Sequence, residues 1–380
     1  MRVEQDIWTE GEGWHSAGAG HSLSEAGLVL AFGEGTLLAG RRDELREAYP
    51  GALVIGCSTA GEIIGSEVRD DSVVATAVAF GSTTLRGARA RSGGLERSEA
   101  AGSALAEQLR GEGLSHVFVL SDGLSVNGSD LIRGLVDALP AGVGITGGLA
   151  ADGSRFKRTV AFLDSPPEPG EVVAIGLYGS RLRVGYGSFG GWDPFGVEWE
   201  ITRSEGSVLY ELDGQSALGL YEAYLGNHAA GLPATGLLFP LSIRTTGARE
   251  PIVRTLLAVD EAAGSLTFAG DVPRGAYARF MKANIDRLVE GAERAARESV
   301  RALGEGADAE PELAILISCF GRKLVLKQRV EEEVEAVGAI LGAETAMTGF
   351  YSYGELAPFA PEAPCELHNQ TMTITVLRED

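Results

Sequence analysis

The chain has 380 residues, 44% hydrophobic and 22% charged, the balance of a globular protein long enough for two or three domains. A formal net charge of −21, from 32 basic and 53 acidic residues, repels phosphate backbones and anionic lipid, which sets aside nucleic acid and membrane surfaces as main partners; solubility accounts for the charge itself. Cys57, Cys319 and Cys365 lack paired spacing, which argues against a disulfide framework or structural zinc site and for a reducing cytoplasm; no apolar run approaches the ~18 residues of a membrane span, and Met1–Ser24 has no secretory-signal pattern.

In chain order, Leu28–Phe32 is an apolar run bounded by glycine and reads as a buried strand. Thr36–Tyr49 places Leu37, Leu38, Leu45 and Ala48 at helical spacing and stops at Pro50-Gly51. Leu53–Ile55 and Ser72–Phe80 are β-branched strands. Ser98–Arg110 is an amphipathic helix, Val117–Leu120 a strand, and Asn127 the cap of a helix running to Leu139 before Pro140. Strands follow near Val143–Thr146, Thr159–Leu163, Val172–Tyr178 and Arg183–Phe189. The composition shifts at Trp192–Gly196. Beyond it, Gly206–Leu225 reads as one or two helices, Pro251–Val259 and Ser265–Ala269 as antiparallel strands, Gly275–Leu303 as the longest helix, and Glu305–Pro311 as a polar loop. Alternating elements early and antiparallel strands late predict an α/β fold of mixed α+β sheets, not a doubly wound parallel one.

One pattern occurs three times: strand, helix, glycine-punctuated turn, strand. The first copy comprises Leu28–Phe32, a helix, Val54–Ile63 and Ser72–Phe80; the last comprises Leu313–Ser318, a helix, Thr348–Leu356 and Thr371–Leu377. A fainter middle copy comprises Val117–Ser121, a helix, Ile145–Gly153 and Thr159–Leu163. The 53 glycines sit mostly beside such strands. Three like units that place their turns at like positions can build one shared pocket.

Several of these segments, in this order, resemble the FIST proteins, a family of sensory modules named for F-box and intracellular signal transduction. Val54–Ile63 and Gly147–Gly153 with Arg155-Phe156 are similar to the N-terminal half of that family. Ile317–Arg322, Gly349–Leu356 and His368–Thr373 resemble its C-terminal half, and Leu212–Ala217 and Gly270–Gly275 also match. The resemblance implies two intimately packed domains, 28–215 and 216–380, after a short lead, 1–27. It implies a cytoplasmic sensor of a small ligand such as an amino acid, with no catalytic activity. No output segment follows Asp380, so it implies a free-standing member acting through a separate signalling protein, such as a histidine kinase or a cyclic-nucleotide output protein. Some free-standing members are regarded as haem-binding nitric-oxide sensors, which makes haem b the alternative cofactor.

The residues carry candidate chemistry of their own. Cys57, Ser58, Thr59 and Gly61 lie in a turn whose amides could form an anion nest for a carboxylate, or simply close a tight turn. Glu62 and Glu355 occupy equivalent places, with Asp152 one step earlier in the middle unit. They could accept bonds from a ligand amine or brace their own loops, and bracing is what a repeated fold repeats. Arg322 could grip a carboxylate with two parallel bonds. Tyr353, on one strand face with Tyr351, could line a cavity, and His368 and Asn369 could reach a ligand. His368 and His228 are the candidate haem ligands; without Cys-x-x-Cys-His, covalent haem is excluded. Cys57 or Cys319 with His368 could form a thiol–imidazole pair, the minority reading of a thiol-dependent hydrolase centred on Cys57. Two Gly-x-Gly-x-x-Gly strings, Gly142–Gly147 and Gly185–Gly190, lack the strand-before, helix-after context of a dinucleotide site.

Overall fold

The structure, a computed structural model, describes residues 1–17, 23–246, 251–304, 310–359 and 363–380. Most of the predicted loop Glu305–Pro311 and part of the lead 1–27 lie outside the described residues. In chain order come β1 (Arg2–Thr9), β2 (Gly13–Ser16), β3 (Leu28–Gly33), α1 (Gly35–Ala48), β4 (Leu53–Ser58), β5 (Glu62–Ile64), β6 (Glu67–Arg69), β7 (Ser72–Ala79) and β8 (Thr84–Arg91). The middle unit follows with α2 (Ser98–Leu109), β9 (Leu114–Ser121), α3 (Gly128–Ala138), β10 (Gly144–Leu149), β11 (Ala161–Leu163), β12 (Glu171–Tyr178) and β13 (Leu182–Phe189). An antiparallel region then interrupts the repeat: β14 (Asp193–Glu205), β15 (Val208–Leu212), β16 (Gln215–Ser216), α4 (Ala217–Leu225), β17 (Leu241–Arg244), β18 (Ile252–Arg254), β19 (Leu256–Asp260), β20 (Ser265–Phe268) and β21 (Tyr277–Lys282). The last unit comprises α5 (Ile285–Ala302), β22 (Leu313–Cys319), α6 (Phe320–Leu326), α7 (Val330–Leu341), β23 (Ala346–Ser352), β24 (Gly354–Pro358), β25 (Cys365–His368) and β26 (Met372–Glu379).

The three units build three six-stranded sheets on one plan: β11-β4-β3-β7-β1-β2, β25-β24-β10-β9-β12-β8 and β6-β5-β23-β22-β26-β13. In each, a parallel pair (β3/β4, β9/β10, β22/β23) is flanked by an antiparallel return strand (β7, β12, β26). The far edge of each is filled by a strand that another unit donates. The first unit gives β5 to β23, the last gives β24 to β10, and the middle gives β11 to β4. The exchange is cyclic, so no unit closes its sheet alone. It also corrects one reading: Thr159–Leu163 supplies the middle unit's donated strand, and β12 is its return strand.

The inner sheet faces share one core, in which Leu30, Phe32, Leu120, Ile317 and Phe350 are buried, and Phe32 lies 4.8 Å from Phe350 between ring centroids. Burial of each such side chain is worth roughly 1.5–3 kcal/mol. Outer faces are covered by helices: α1 on the first sheet, α2 and α3 on the second, α5 and α7 on the third. Among the described residues, no helix is long and apolar enough to cross a membrane.

The mixed α/β class is as predicted, and several elements differ. Arg2–Thr9 is no mere lead, since it pairs along its whole length with β7. The region Gly206–Leu225 is helical only in α4. Asp213-Gly214, both with left-handed φ (48° and 73°), form the tight two-residue turn between β15 and β16 that Asp-Gly favours. Gly275–Leu303 is helical only from Ile285, where Asn284 caps the first turn by accepting from the Arg287 amide; alternation through Tyr277–Lys282 makes that part a strand. The inserted sheet begins at Asp193, at the composition shift, and packs around Trp199, Tyr221, Phe268 and Phe280. By packing, the 215/216 boundary falls inside this region, at the β15–β16 hairpin.

Candidate functional site

The carboxyl ends of the three parallel pairs come together at one end of the body, where open α/β sheets generally bind ligands. The bends that follow them are joined head to tail around a pseudo-threefold axis. The Ala60 amide donates to the Tyr351 carbonyl (2.9 Å), the Ala151 amide to Ser58 (2.9 Å) and the Tyr353 amide to Leu149 (3.2 Å). These are equivalent positions, two and four places after Gly56, Gly147 and Gly349. Those three glycines face Ala31, Val119 and Leu316 across the parallel pair, and a Cβ at any of them would overlap that residue's carbonyl oxygen. Their repeated requirement is close strand approach rather than anion binding.

A cleft of about 390 Å³ opens beside the first bend, with walls from all three units: Thr59–Glu62 with Asp70 and Asp71, Asp152–Arg155, and Phe320, Lys323, Leu324 and Lys327. Lys323 reaches across it from α6. Its Nζ donates to the Ala60 carbonyl at 3.0 Å, pairs with Asp70, and lies 5.3 Å from the Tyr351 ring centroid. Glu62 is buried at the cleft's inner wall and accepts the hydroxyls of Thr59 and Ser72, the latter at 2.6 Å. Burial pushes its carboxyl up to about 7, against those two bonds and the Lys323 charge. Glu34 caps α1, accepting from the Thr36 and Leu37 amides at 2.6 and 3.1 Å, and pairs with Arg155 at 3.1 Å. Asp71 and Lys327 line the same cleft, both with left-handed φ near 54°, and neither makes an ion pair among the described residues. Non-glycine residues held in that region are sparse and gather at functional sites. The carboxylates are dispersed: among the described residues, no three His, Cys, Asp or Glu side chains form a group able to hold a metal ion.

The candidate residues from the sequence divide. Thr59, Gly61, Glu62 and Asp152 line this cleft. Asp152 accepts the Lys157 and Arg158 amides, both at 2.9 Å, and the Tyr353 hydroxyl. Burial opposes ionisation there, but those donors hold the carboxyl below its usual range. Cys57 and Ser58 are buried behind the wall; the Ser58 hydroxyl accepts the Val160 amide at 3.0 Å. Burial, with Glu62 nearby, pushes the Cys57 thiol far up, so it is protonated and poorly suited to be a nucleophile.

Arg322 is not a ligand clamp. It is fully buried, and its nitrogens bond Glu333 (2.7 and 3.1 Å) and the carbonyls of Leu288 (2.8 Å) and Gly190. Glu355 is sealed in the last unit's bend, accepting from Ser352 (2.6 Å) and from the Thr371 hydroxyl and amide (2.9 and 3.2 Å); burial pushes it up to about 8. Asn369 is also buried, donating to the His368 carbonyl at 3.0 Å.

Haem does not fit the two histidines. His368 is buried, bonds the Ala357 carbonyl through Nε2 at 2.9 Å, and is lowered to about 4 by burial. His228 is exposed on a short 3-10 turn, 5.4 Å from the Phe239 ring. Neither lines the cleft.

Sequence reasoning missed Glu34, Asp70, Asp71, Arg155, Lys323 and Lys327 as site residues. The available signal was helical spacing within α6, where adjacent residues point about 100° apart, so that Arg322 turns into the core and Lys323 to the cleft; Lys327 lies just past the last helical residue, Leu326, and no helical spacing places it.

Comparison with known proteins matches residues 27–215 to the FIST N domain and residues 217–358 to the FIST C domain. An uncharacterized protein of Methanocaldococcus jannaschii is 28% identical over 210 residues, 50% of this chain and 38% of that protein, so the match spans well under half of the relative. A solved cyanuric acid hydrolase from A. caulinodans aligns over 100% of this chain and 99% of its own at 9% identity, with a TM-score of 0.34, too low to support any argument.

Proposed function

The chain belongs to the FIST family, whose domains are associated with sensory signal transduction, and from that premise we propose that it is a cytoplasmic sensor whose polar cleft binds a small zwitterionic ligand, an amino acid or a close analogue. The observation that carries this reading is that Asp71 and Lys327 both line a cleft that already holds Glu62 and Asp152. A carboxylate stands ready for an ammonium group, a cation for a carboxylate, and neither is spent on another ion pair among the described residues. The cleft draws its walls from both the FIST N and the FIST C segments, so a ligand that spans it biases their arrangement, provided it binds one arrangement more tightly. The chain acts by binding rather than catalysis, and a separate signalling protein, a histidine kinase or cyclic-nucleotide enzyme, reads the change.

Isothermal titration with the common amino acids tests the proposal. At least one binds saturably, and Lys327→Ala and Asp71→Ala each weaken it about tenfold or more, equivalent to about 1.4 kcal/mol, with little change in melting temperature. Absence of binding by all of them, or binding indifferent to both substitutions, removes the reading.

A further inference from the structure

Because each strand-to-helix loop meets the bend of another unit, the pseudo-threefold body makes three junctions of one kind. The polar cleft is one. Another, beside Glu34–Thr36, is edged by Arg155, Lys157 and Arg158. The third lies where Gly123–Gly128 meets Tyr353, and there the inserted sheet closes over it with Leu257 and Phe268 to leave a hollow of about 230 Å³. In a chain that is 22% charged, no charged side chain among the described residues lines this hollow. Its opening carries three large apolar side chains exposed to water, Leu95 (54%), Phe156 (46%) and Leu257 (45%).

We propose that this apolar junction is a second small-molecule site, which takes a compound with one aromatic ring or branched alkyl group, and that Tyr353 transmits its occupancy to the polar cleft. The apolar site stands apart from the reading of the polar cleft, and the coupling rests on that reading. Uncharged walls exclude an ionised group from the buried part of the ligand, because an unpaired charge there loses its hydration. The volume suits a ring, since apolar cavities of ~150 Å³ accept benzene. One wall belongs to the repeat body and the other to the inserted region, so a ligand that fills the space bridges them.

The link to the polar cleft is direct. The Tyr353 ring stacks on Phe156 at 4.7 Å, within 6° of parallel, and both line the apolar hollow. The Tyr353 hydroxyl donates to Asp152, with the Gly153 carbonyl also in reach. Asp152 lines the polar cleft and holds the amides of Lys157 and Arg158. A molecule that braces the Phe156–Tyr353 stack therefore braces the segment that brings Asp152 and Arg155 to the polar site, and the coupling is reciprocal.

Titration of the whole chain with indole, and separately with toluene, tests this by saturation-transfer NMR and amide hydrogen exchange. The expected result is saturable binding of indole, with slower exchange across residues 123–128 and at Lys157 and Arg158. Binding is about tenfold weaker in Leu257→Arg and Phe156→Ala, both at exposed positions that leave the melting temperature close to wild type. No saturable binding of either probe, or binding unchanged in both variants, overturns the site. Binding without slower exchange at Lys157 and Arg158 overturns the coupling. Self-association of the wild-type chain that Leu257→Arg abolishes also overturns the site, by assigning the apolar rim to a protein contact.

Discussion

The bend at Thr59–Glu62 and the bend at Ser352–Glu355 carry the same brace in different surroundings. In each, a buried glutamate accepts the hydroxyl three residues before it and a second hydroxyl from the start of the return strand: Thr59 and Ser72 for Glu62, Ser352 and Thr371 for Glu355. Around the first, Asp70, Asp71, Lys323 and Lys327 leave an open polar cleft. Around the second, Asn369 accepts the Thr255 amide and Arg254 donates to the Leu367 carbonyl, so the inserted region is fastened over it. The repeated residues hold the fold together, whereas the neighbours that differ between units make the chemistry. The adjacent pair Arg322 and Lys323 shows the same division within one helical turn: one is committed to a buried ion pair, the other to the cleft.

The sharpest way to break this comparison is Arg322→Ala. It leaves Glu333 buried, still bonded to Ser318 and Tyr351 but without its counter-charge, and should cost about 3–5 kcal/mol in urea unfolding. An unchanged unfolding midpoint with lost ligand binding would return Arg322 to the site. Gly349→Ala forces a Cβ onto the Leu316 carbonyl and should cost about 1–3 kcal/mol or more by overpacking. A neutral result in thermal melts would reopen the anion-nest reading of these glycines.

Stability against pH sharpens the comparison of the two braces. Both glutamates are raised from 4.5, Glu62 to about 7 and Glu355 to about 8, chiefly by burial. The folded state therefore holds protons that the unfolded chain has released. The associated stability is complete below the unfolded value and is lost as pH rises through the folded ones. The slope is at most about 1.4 kcal/mol per pH unit for each group. Melting temperature should fall between pH 5 and pH 8, and Glu355→Gln should flatten the upper part of that fall. A profile identical to wild type would mean Glu355 is ionised throughout. The smallest effect belongs to Lys323→Ala. Its partner Asp70 is well exposed, so the loss should be about 0–1 kcal/mol, and a loss as large as that of Arg322→Ala would erase the distinction between the two.

Local pattern made much of this legible. Period-two and 3.6-residue spacing located α1, α2, α3 and most strands of the repeat, because a side chain's face within an element depends only on its near neighbours. The same reasoning failed at Gly275–Leu303, where a strand and a helix adjoin without a proline between them. It also took the middle unit's donated strand for its return strand, since both are short apolar runs and only sheet pairing tells them apart.

By itself, the sequence determined that three like units exist, that each repeats a glycine at the same place in its second strand, and that Glu62 and Glu355 are equivalent. Those are consequences of near-neighbour sterics and spacing. Only the tertiary structure decided that the units exchange strands in a ring, that Arg322 points inward while Lys323 points to the cleft, and that one junction is polar and another apolar. Each of these depends on which separate elements pack together, as the bends of Ala60 and Tyr351 do through a hydrogen bond, and no local pattern encodes which other surface a side chain will meet.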